Sequence, residues 1–373
     1  MSKLKTIVIH DFAGHPFQLE LSEKLSDTYH VIHIFSKNDN GPKGSFKIKK
    51  NFNVVPLDIG YELPKNNIFK RFFWEINYYF AFSKEIKKIK PDLIINSNVP
   101  IIILFLFSIT SNIKWIWWVQ DIFSEASLKL NLIPKFLRRF VSLIFTFLER
   151  FLSHRASHLI LISEEFKKFY KNKSSTVIEN WAKLPFKSHQ KNSRSNKFKS
   201  IVYAGTIGKK HYSNNFVNII SKFLDNKFSF TLISSSIYAF EIRNKFLNNK
   251  NFKYLEFLSD KELTAELDKH DCAFFILEDE ASKVSIPSKV YNYLIHELPI
   301  FGVLNSSHHT SKLITINDFG CVNDFNDFVL KINDDKWIKN FQNNVKLYNK
   351  KFNNVDVKLS QFKKIIRESL KNG

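Results

Sequence analysis

The first half of the chain alternates short apolar runs with stretches of helical period. The runs are TIVIH (6–10), HVIHIF (30–35), DLIIN (92–96), WIWWV (115–119) and HLILIS (158–163). Between them, apolar residues recur at three- and four-residue spacing over 17–25, 69–89 and 134–154, the period of an amphipathic helix. Short strands separated by helices predict a mainly parallel sheet covered on both faces, because parallel neighbours need crossover connections and helices supply them. The pattern then breaks. KSHQKNSRSNKFKS (187–200) is polar and basic with no apolar period, and reads as a linker. A second series follows: SIVYAG (200–205), FTLIS (230–234), KYLEF (253–257), CAFFIL (272–277) and PIFGVL (299–304). Helices are expected near 213–225, 238–249, 260–269 and 288–296, and a last helical stretch over 335–370.

This predicts an α/β protein of two Rossmann-like domains facing a central cleft. The expected organisation is a first domain over 1–186, a linker at 187–199, a second domain over 200–334, and a helical segment, 335–373, able to pack back on the first domain. In such folds ligands bind at the carboxyl ends of the strands. With 373 residues, 44% hydrophobic and 24% charged, the chain has enough apolar material for two cores.

Charge narrows the partners. A formal net charge of +21 calls for nucleic acid, an anionic membrane surface or a phosphorylated substrate. No aromatic-basic recognition module or metal finger supports nucleic acid. Two widely separated cysteines, Cys272 and Cys321, outline neither a disulfide framework nor a zinc site and fit a reducing cytoplasm. MSKLKTIVIHDF reads as a first strand and not a signal peptide. The longest uncharged run, 94–112, is interrupted by Asn96, Ser97, Asn98, Pro100, Ser108 and Thr110, so no spanning helix is expected. Walker, G-x-S-x-G and H-E-x-x-H motifs are absent.

Several loops carry candidate chemistry. YAGTIGKKHY (203–212) joins a strand to a helix and sets Gly205 and Gly208 before Lys209 and Lys210. Glycines let backbone approach a ligand and lysines neutralise phosphate; a plain surface turn in a Lys-rich chain is the competing account. IPSKVYNY (286–293) places Pro287, Ser288 and Lys289 at an expected helix start, where unpaired amides and a full positive charge suit an anion. Two such loops in one domain could hold a diphosphate between them. In the first domain, Gly14 and His15 occupy the first strand-to-helix loop, where His15 is either catalytic or an ordinary polar loop residue. WWVQDIFSEAS (117–127) ends a strand with Asp121 and Glu125; a carboxylate there can accept a proton or orient a sugar, or Asp121 can cap a helix. The segment 133–158 repeats Phe136, Phe140, Ile144, Phe147 and Phe151 at helical spacing among Arg138, Arg139, Arg150 and Arg155. It reads as a core-facing helix with a basic outer face or as a helix lying on an anionic membrane, and FKRFFWEINYYFAF (69–82) repeats the pattern.

Taken in order, GHPF (14–17), VQDIFSE (119–125), ERFLSHRASHLILIS (149–163), VIENW (177–181), YAGTIG (203–208) and PSKVYNYL (287–294) resemble the retaining family-4 glycosyltransferases of GT-B fold, within their O-antigen, capsule and colanic-acid branch. The resemblance spans roughly 1–310. It implies a nucleotide-sugar donor, expected to be UDP-linked, in the second domain and an acceptor, a polyprenyl-diphosphate-linked saccharide, in the first. It further implies that Lys209 or Lys210 neutralises the donor diphosphate, that Ser288 and Lys289 hold its distal phosphate, and that no metal or other cofactor is needed. Of two family glutamates near this helix, Asn292 stands at the second position and Val284 at the first. Asp121 takes the family's acceptor-side acidic or His position. The expected function is therefore a cytoplasmic glycosyltransferase, peripheral to the membrane. A nucleotide-sugar 2-epimerase and an inactive membrane-bound scaffold are the alternatives.

Overall fold

The apolar runs of the first half become strands of one parallel sheet. The computed structural model describes residues 4–39, 49–64, 67–128, 134–170, 174–182, 199–207, 214–256, 258–277 and 288–371. The first sheet holds β1 (Thr6–Asp11), β2 (His30–Ser36), β3 (Phe52–Leu57), β4 (Leu93–Ser97), β5 (Trp115–Val119), β6 (His158–Leu161) and β7 (Ser175–Val177). Its order is β3-β2-β1-β4-β5-β6-β7, every pair parallel. In register, Ile9 lies between His33 and Ile95. Strand order therefore reverses between β1 and β4, the point at which such sheets open a crevice beyond their carboxyl ends. Helices α1 (Pro16–Leu25), α2 (Ile68–Ile89), α3 (Ile101–Thr110), α4 (Phe123–Ser127) and α5 (Lys135–Arg155) belong to this half.

Three of these elements go beyond the sequence reading. β3 carries Pro56, which removes a ladder donor, and is tolerated because β3 lies at the sheet edge. α3 is apolar nearly all round, so its helical period is hidden inside the uncharged run. β7 has only three residues.

The second sheet repeats the plan with β8 (Ser200–Ala204), β9 (Ser229–Ile233), β10 (Phe252–Leu255), β11 (Cys272–Ile276), β12 (Ile300–Val303) and β13 (Gly320–Val322) in the order β10-β9-β8-β11-β12-β13. All its pairs are parallel and its reversal falls between β8 and β11. Here the chain's many phenylalanines find a use. Phe223 packs edge-on against Phe325 with ring centroids 5.0 Å apart, and Phe274 stacks on Phe301. Gly320, at φ +150°, brings the β13 backbone so close to Ile300 that an added Cβ would lie 1.9 Å from the Ile300 carbonyl oxygen. The helices here are α6 (Asn214–Asp225), α7 (Ile237–Phe246), α8 (Asp260–Leu267), α9 (Lys289–Ile295), α10 (His309–Ile316), α11 (Phe325–Ile332) and α12 (Asp335–Lys351), and α13 (Val355–Lys371) closes the chain.

Contacts divide the chain into Met1–Asn180 with Val355–Gly373, and Trp181–Asn354. The expected terminal helical stretch is two helices. α12 packs on α9 and α11, whereas α13 packs on α1 and β4, with Phe362 edge-on to Trp118 at 4.8 Å. Apart from Lys199, the expected linker 187–199 lies outside the described residues.

Candidate functional site

In the second unit, the chain leaves β8 through Gly205, whose amide donates to the Ile233 carbonyl at 2.9 Å and whose φ is +131°. The missing side chain makes room for Lys289. A Cβ at Gly205 would stand 3.3 Å from both Cε and Nζ of that lysine. Lys289, on the first turn of α9, donates from Nζ to the Tyr203 hydroxyl at 2.7 Å and lies 4.2 Å from the centre of its ring. Burial, with the nearby Tyr293 adding to it, pushes the Tyr203 phenol well above its ordinary range, so it accepts from an ammonium without becoming a phenolate. Two further ties fix α9 against β8. The Tyr293 hydroxyl accepts from the Ala204 amide at 2.9 Å and donates to the Ala204 carbonyl at 3.3 Å. From the α12 side, Asn349 and Asn353 donate to the carbonyls of Leu294 and Tyr291 at 2.9 and 3.0 Å. A fixed ammonium beside a side-chain-free turn, at the carboxyl end of β8 where the sheet reverses, suits a phosphate group.

The structure thus joins Gly205 and Lys289, which are far apart in sequence. Ser288 differs from the helix-start expectation: its dihedrals are already helical (φ −63°, ψ −22°) and its side chain caps no amide. Asn292 is half-buried one turn beyond Lys289. Gly208, Lys209, Lys210, Val284 and Pro287 lie outside the described residues.

In the first unit, β1 ends at Asp11, which is fully buried, and Gly14 turns the chain with φ +76° as its amide donates to the Asp11 carbonyl. His15 follows. Its backbone amide donates to one oxygen of the Asp11 carboxylate and its Nδ1 lies 3.0 Å from the other. Burial disfavours a charged His15, but Asp11 outweighs it, helped by the charges of Asp121 and Asp39, and its pKa rises. Burial likewise opposes charge on Asp11, and the His15 charge and hydrogen bonds overcome it, so its pKa falls. Beneath this pair, His10 bridges Asn96 and Tyr78, and His33 meets the Ser22 hydroxyl at 2.7 Å. Burial takes both histidines down to about 4, so they are neutral framework.

Asp121 is exposed just beyond β5, and the helix-cap account of it fails. The amides of Phe123 and Ser124 that open α4 donate instead to Glu149 of α5, at 2.7 and 3.3 Å, and Tyr170 donates its hydroxyl to the same carboxylate at 3.2 Å. Asp121 is left at the strand end with its charge felt at His15, and Glu125 stands half-buried on α4. Gln120, next in the chain, exchanges amide hydrogen bonds with Asn180 of the VIENW stretch. Sequence reasoning passed over Asp11, Glu149, Tyr203, Asn349 and Asn353; Asp11, Glu149 and Tyr203 stood within quoted stretches, with no local signal for their partners.

The α5 face fits only one of its two accounts. Phe136, Phe140, Leu143, Ile144 and Phe147 are all exposed, Phe136 to 79%, so this is not a core-facing stripe. On α2, Phe69, Phe72, Phe73 and Phe80 are exposed as well. No helix among the described residues is long and apolar enough to cross a membrane.

No protein-family profile matches the chain. A probable glycosyltransferase of Pseudomonas aeruginosa, WbjE, is 22% identical over 282 residues, covering 69% of this chain and 68% of its own. The sucrose-phosphate synthase of Thermosynechococcus elongatus superposes with a TM-score of 0.77 over 99% of this chain and 100% of its own, at 11% identity. The fold is GT-B. WaaG, a glycosyltransferase involved in lipopolysaccharide biosynthesis, shares it with a TM-score of 0.61 over 92% of this chain and 94% of its own, again at 11% identity. Both parallel sheets, with their reversals at β1/β4 and β8/β11, are the two Rossmann-like halves of a GT-B protein.

Proposed function

We propose that this GT-B protein is a retaining glycosyltransferase that moves a sugar, hexosyl or N-acetylhexosaminyl, from a nucleoside diphosphate donor, UDP-linked by preference, to a polyprenyl-diphosphate-linked saccharide. The observation that carries the reading is Lys289 held over Gly205 at the carboxyl end of β8. In the reaction the bond from the anomeric carbon to the diphosphate breaks, a bond to the acceptor oxygen forms, and the acceptor proton is released. Negative charge grows on the departing diphosphate, and a preorganised ammonium stabilises that charge most where it develops. Lys289 supplies it, joined by Lys209 or Lys210, with Asn292 toward the ribose. In the first unit Asp121 orients the acceptor hydroxyl, with Gly14, His15 and Glu125 around it.

Surface-polysaccharide assembly fits the named relatives, WbjE as a probable glycosyltransferase and WaaG in lipopolysaccharide synthesis. The exposed aromatic faces of α2 and α5, interleaved with Lys70, Arg138, Arg139 and Arg150, suit the anionic cytoplasmic membrane surface where a polyprenyl-linked acceptor resides. The test is transfer of radiolabelled sugar from UDP- and GDP-sugars to prenyl-diphosphate saccharides in vesicles. Label in the lipid fraction, reduced at least tenfold by Lys289→Ala, is the expected result. Conversion of a UDP-sugar to its epimer without acceptor, or no turnover with nucleotide bound, would overturn the transferase.

A further inference from the structure

A second polar group lies one strand over from the turn that makes room for Lys289. β9 pairs with β8 in parallel, Tyr203 beside Leu232 and Ala204 beside Ile233, and the Gly205 amide donates to the Ile233 carbonyl. Paired residues of parallel strands point to the same face, and every second residue along a strand shares it. Ser234, two residues after Leu232, therefore projects on the face that carries the Tyr203 ring, next to Gly205 and about 5 Å across from it. Lys289 occupies the same place. Its Nζ lies 4.2 Å from the centre of the Tyr203 ring and 3.3 Å from where a Gly205 Cβ would stand.

The Ser234 backbone is fixed on both counts. Its amide donates to the Leu255 carbonyl at 3.0 Å, and its carbonyl accepts from the Tyr254 hydroxyl at 2.7 Å. The side chain is the exception: Ser234 is 4% exposed, and its hydroxyl has no hydrogen-bond partner among the described residues. A buried hydroxyl left in that state costs free energy, a cost that a bound acceptor removes.

We propose that the Ser234 hydroxyl is a second phosphate ligand of the donor site, donating to a diphosphate oxygen while Lys289 neutralises the charge. The inference rests on the glycosyltransferase reading for the presence of a nucleoside diphosphate there. A lysine acts on phosphate as a point charge, whereas a hydroxyl on a fixed strand donates its single hydrogen, so Ser234 orients the group that Lys289 attracts. Any side chain at Gly205 would stand beside both donors.

The test is titration calorimetry of the full chain with UDP and with GDP, together with melting in the absence of ligand, for the parent and for Ser234→Ala. Since the hydroxyl has no partner to lose, Ser234→Ala should melt without nucleotide at the parent's temperature or above it. It should bind the nucleotide that the parent binds about tenfold or more weakly, because hydrogen bonds to charged groups are the strong ones. An affinity equal to the parent's overturns the inference and leaves the site at Lys289 standing. A lower melting temperature without ligand overturns it as well, since the hydroxyl would then be a structural group, satisfied by a buried water. Binding of neither nucleotide by the parent would strike the glycosyltransferase reading and the inference together.

Discussion

Glu149 is 2% exposed and yet carries three hydrogen bonds, from the Phe123 and Ser124 amides and the Tyr170 hydroxyl. Burial raises its pKa, opposed by those donors, which offset much of the cost of placing a carboxylate inside. It does from another helix what a local Asp would do as a cap, and so holds α4, and with it the end of β5 that bears Asp121. Glu149→Ala leaves three buried donors without their acceptor and should destabilise the protein by about 2–5 kcal/mol in denaturant melts. Glu149→Gln, which keeps an acceptor oxygen, should lose less. Equal stability of Glu149→Ala and the parent would contradict this account. The same case shows what sequence hides at this scale: Asp121 before a helix looks like its cap, but the residue that caps it is 26 positions away and nothing local announces it. Gly205 and Lys289 were each legible as candidates, whereas the contact between them, made through Tyr203, exists only in the folded unit.

Alternation of apolar runs and helical stretches located most strands of both sheets, because strands buried on two faces read as continuous Val, Ile and Phe runs. It missed α10 and α11 as well as several elements whose patterns are weak for physical reasons. β3 is a proline-bearing edge strand, α3 is apolar on every face, and β7 and β13 have three residues each. Periodicity also says that a face is apolar without saying what covers it. On α5 the face is open: Phe140 and Phe147 are 62% and 69% exposed, while Glu149, Leu152 and Ser153 near the carboxyl end are buried. Phe140→Glu with Phe147→Glu should therefore fold normally and weaken binding to vesicles containing anionic phospholipid by at least about 100-fold, since each phenylalanine in the interface is worth about 1.5–3 kcal/mol. Co-sedimentation measures it. Unchanged binding by the double variant would remove α5 from the proposed membrane contact.

For the molecule as a whole, a net charge of +21 acquires a specific reading once the fold is in view. Part of it decorates the exposed aromatic helices of the first unit, and part sits at the reversal of the second sheet, where Lys289 is the cation held by named partners. Each unit repeats the same parallel order, and its strand-end loops gather polar groups, an acidic pair with a histidine in one and a lysine with a glycine turn in the other.

The most direct test of the central claim, a nucleoside diphosphate bound at the end of β8, is the melting temperature of the purified full chain with UDP, GDP and CMP, with no divalent cation added. A ligand at 100 times its Kd stabilises by about 2.7 kcal/mol, enough to shift the transition visibly. The account predicts stabilisation by UDP or GDP, lost in Lys289→Ala and weakened in Gly205→Ala, where the added methyl displaces the lysine. No shift with any nucleotide at millimolar concentration, or an undiminished shift in Lys289→Ala, would contradict it.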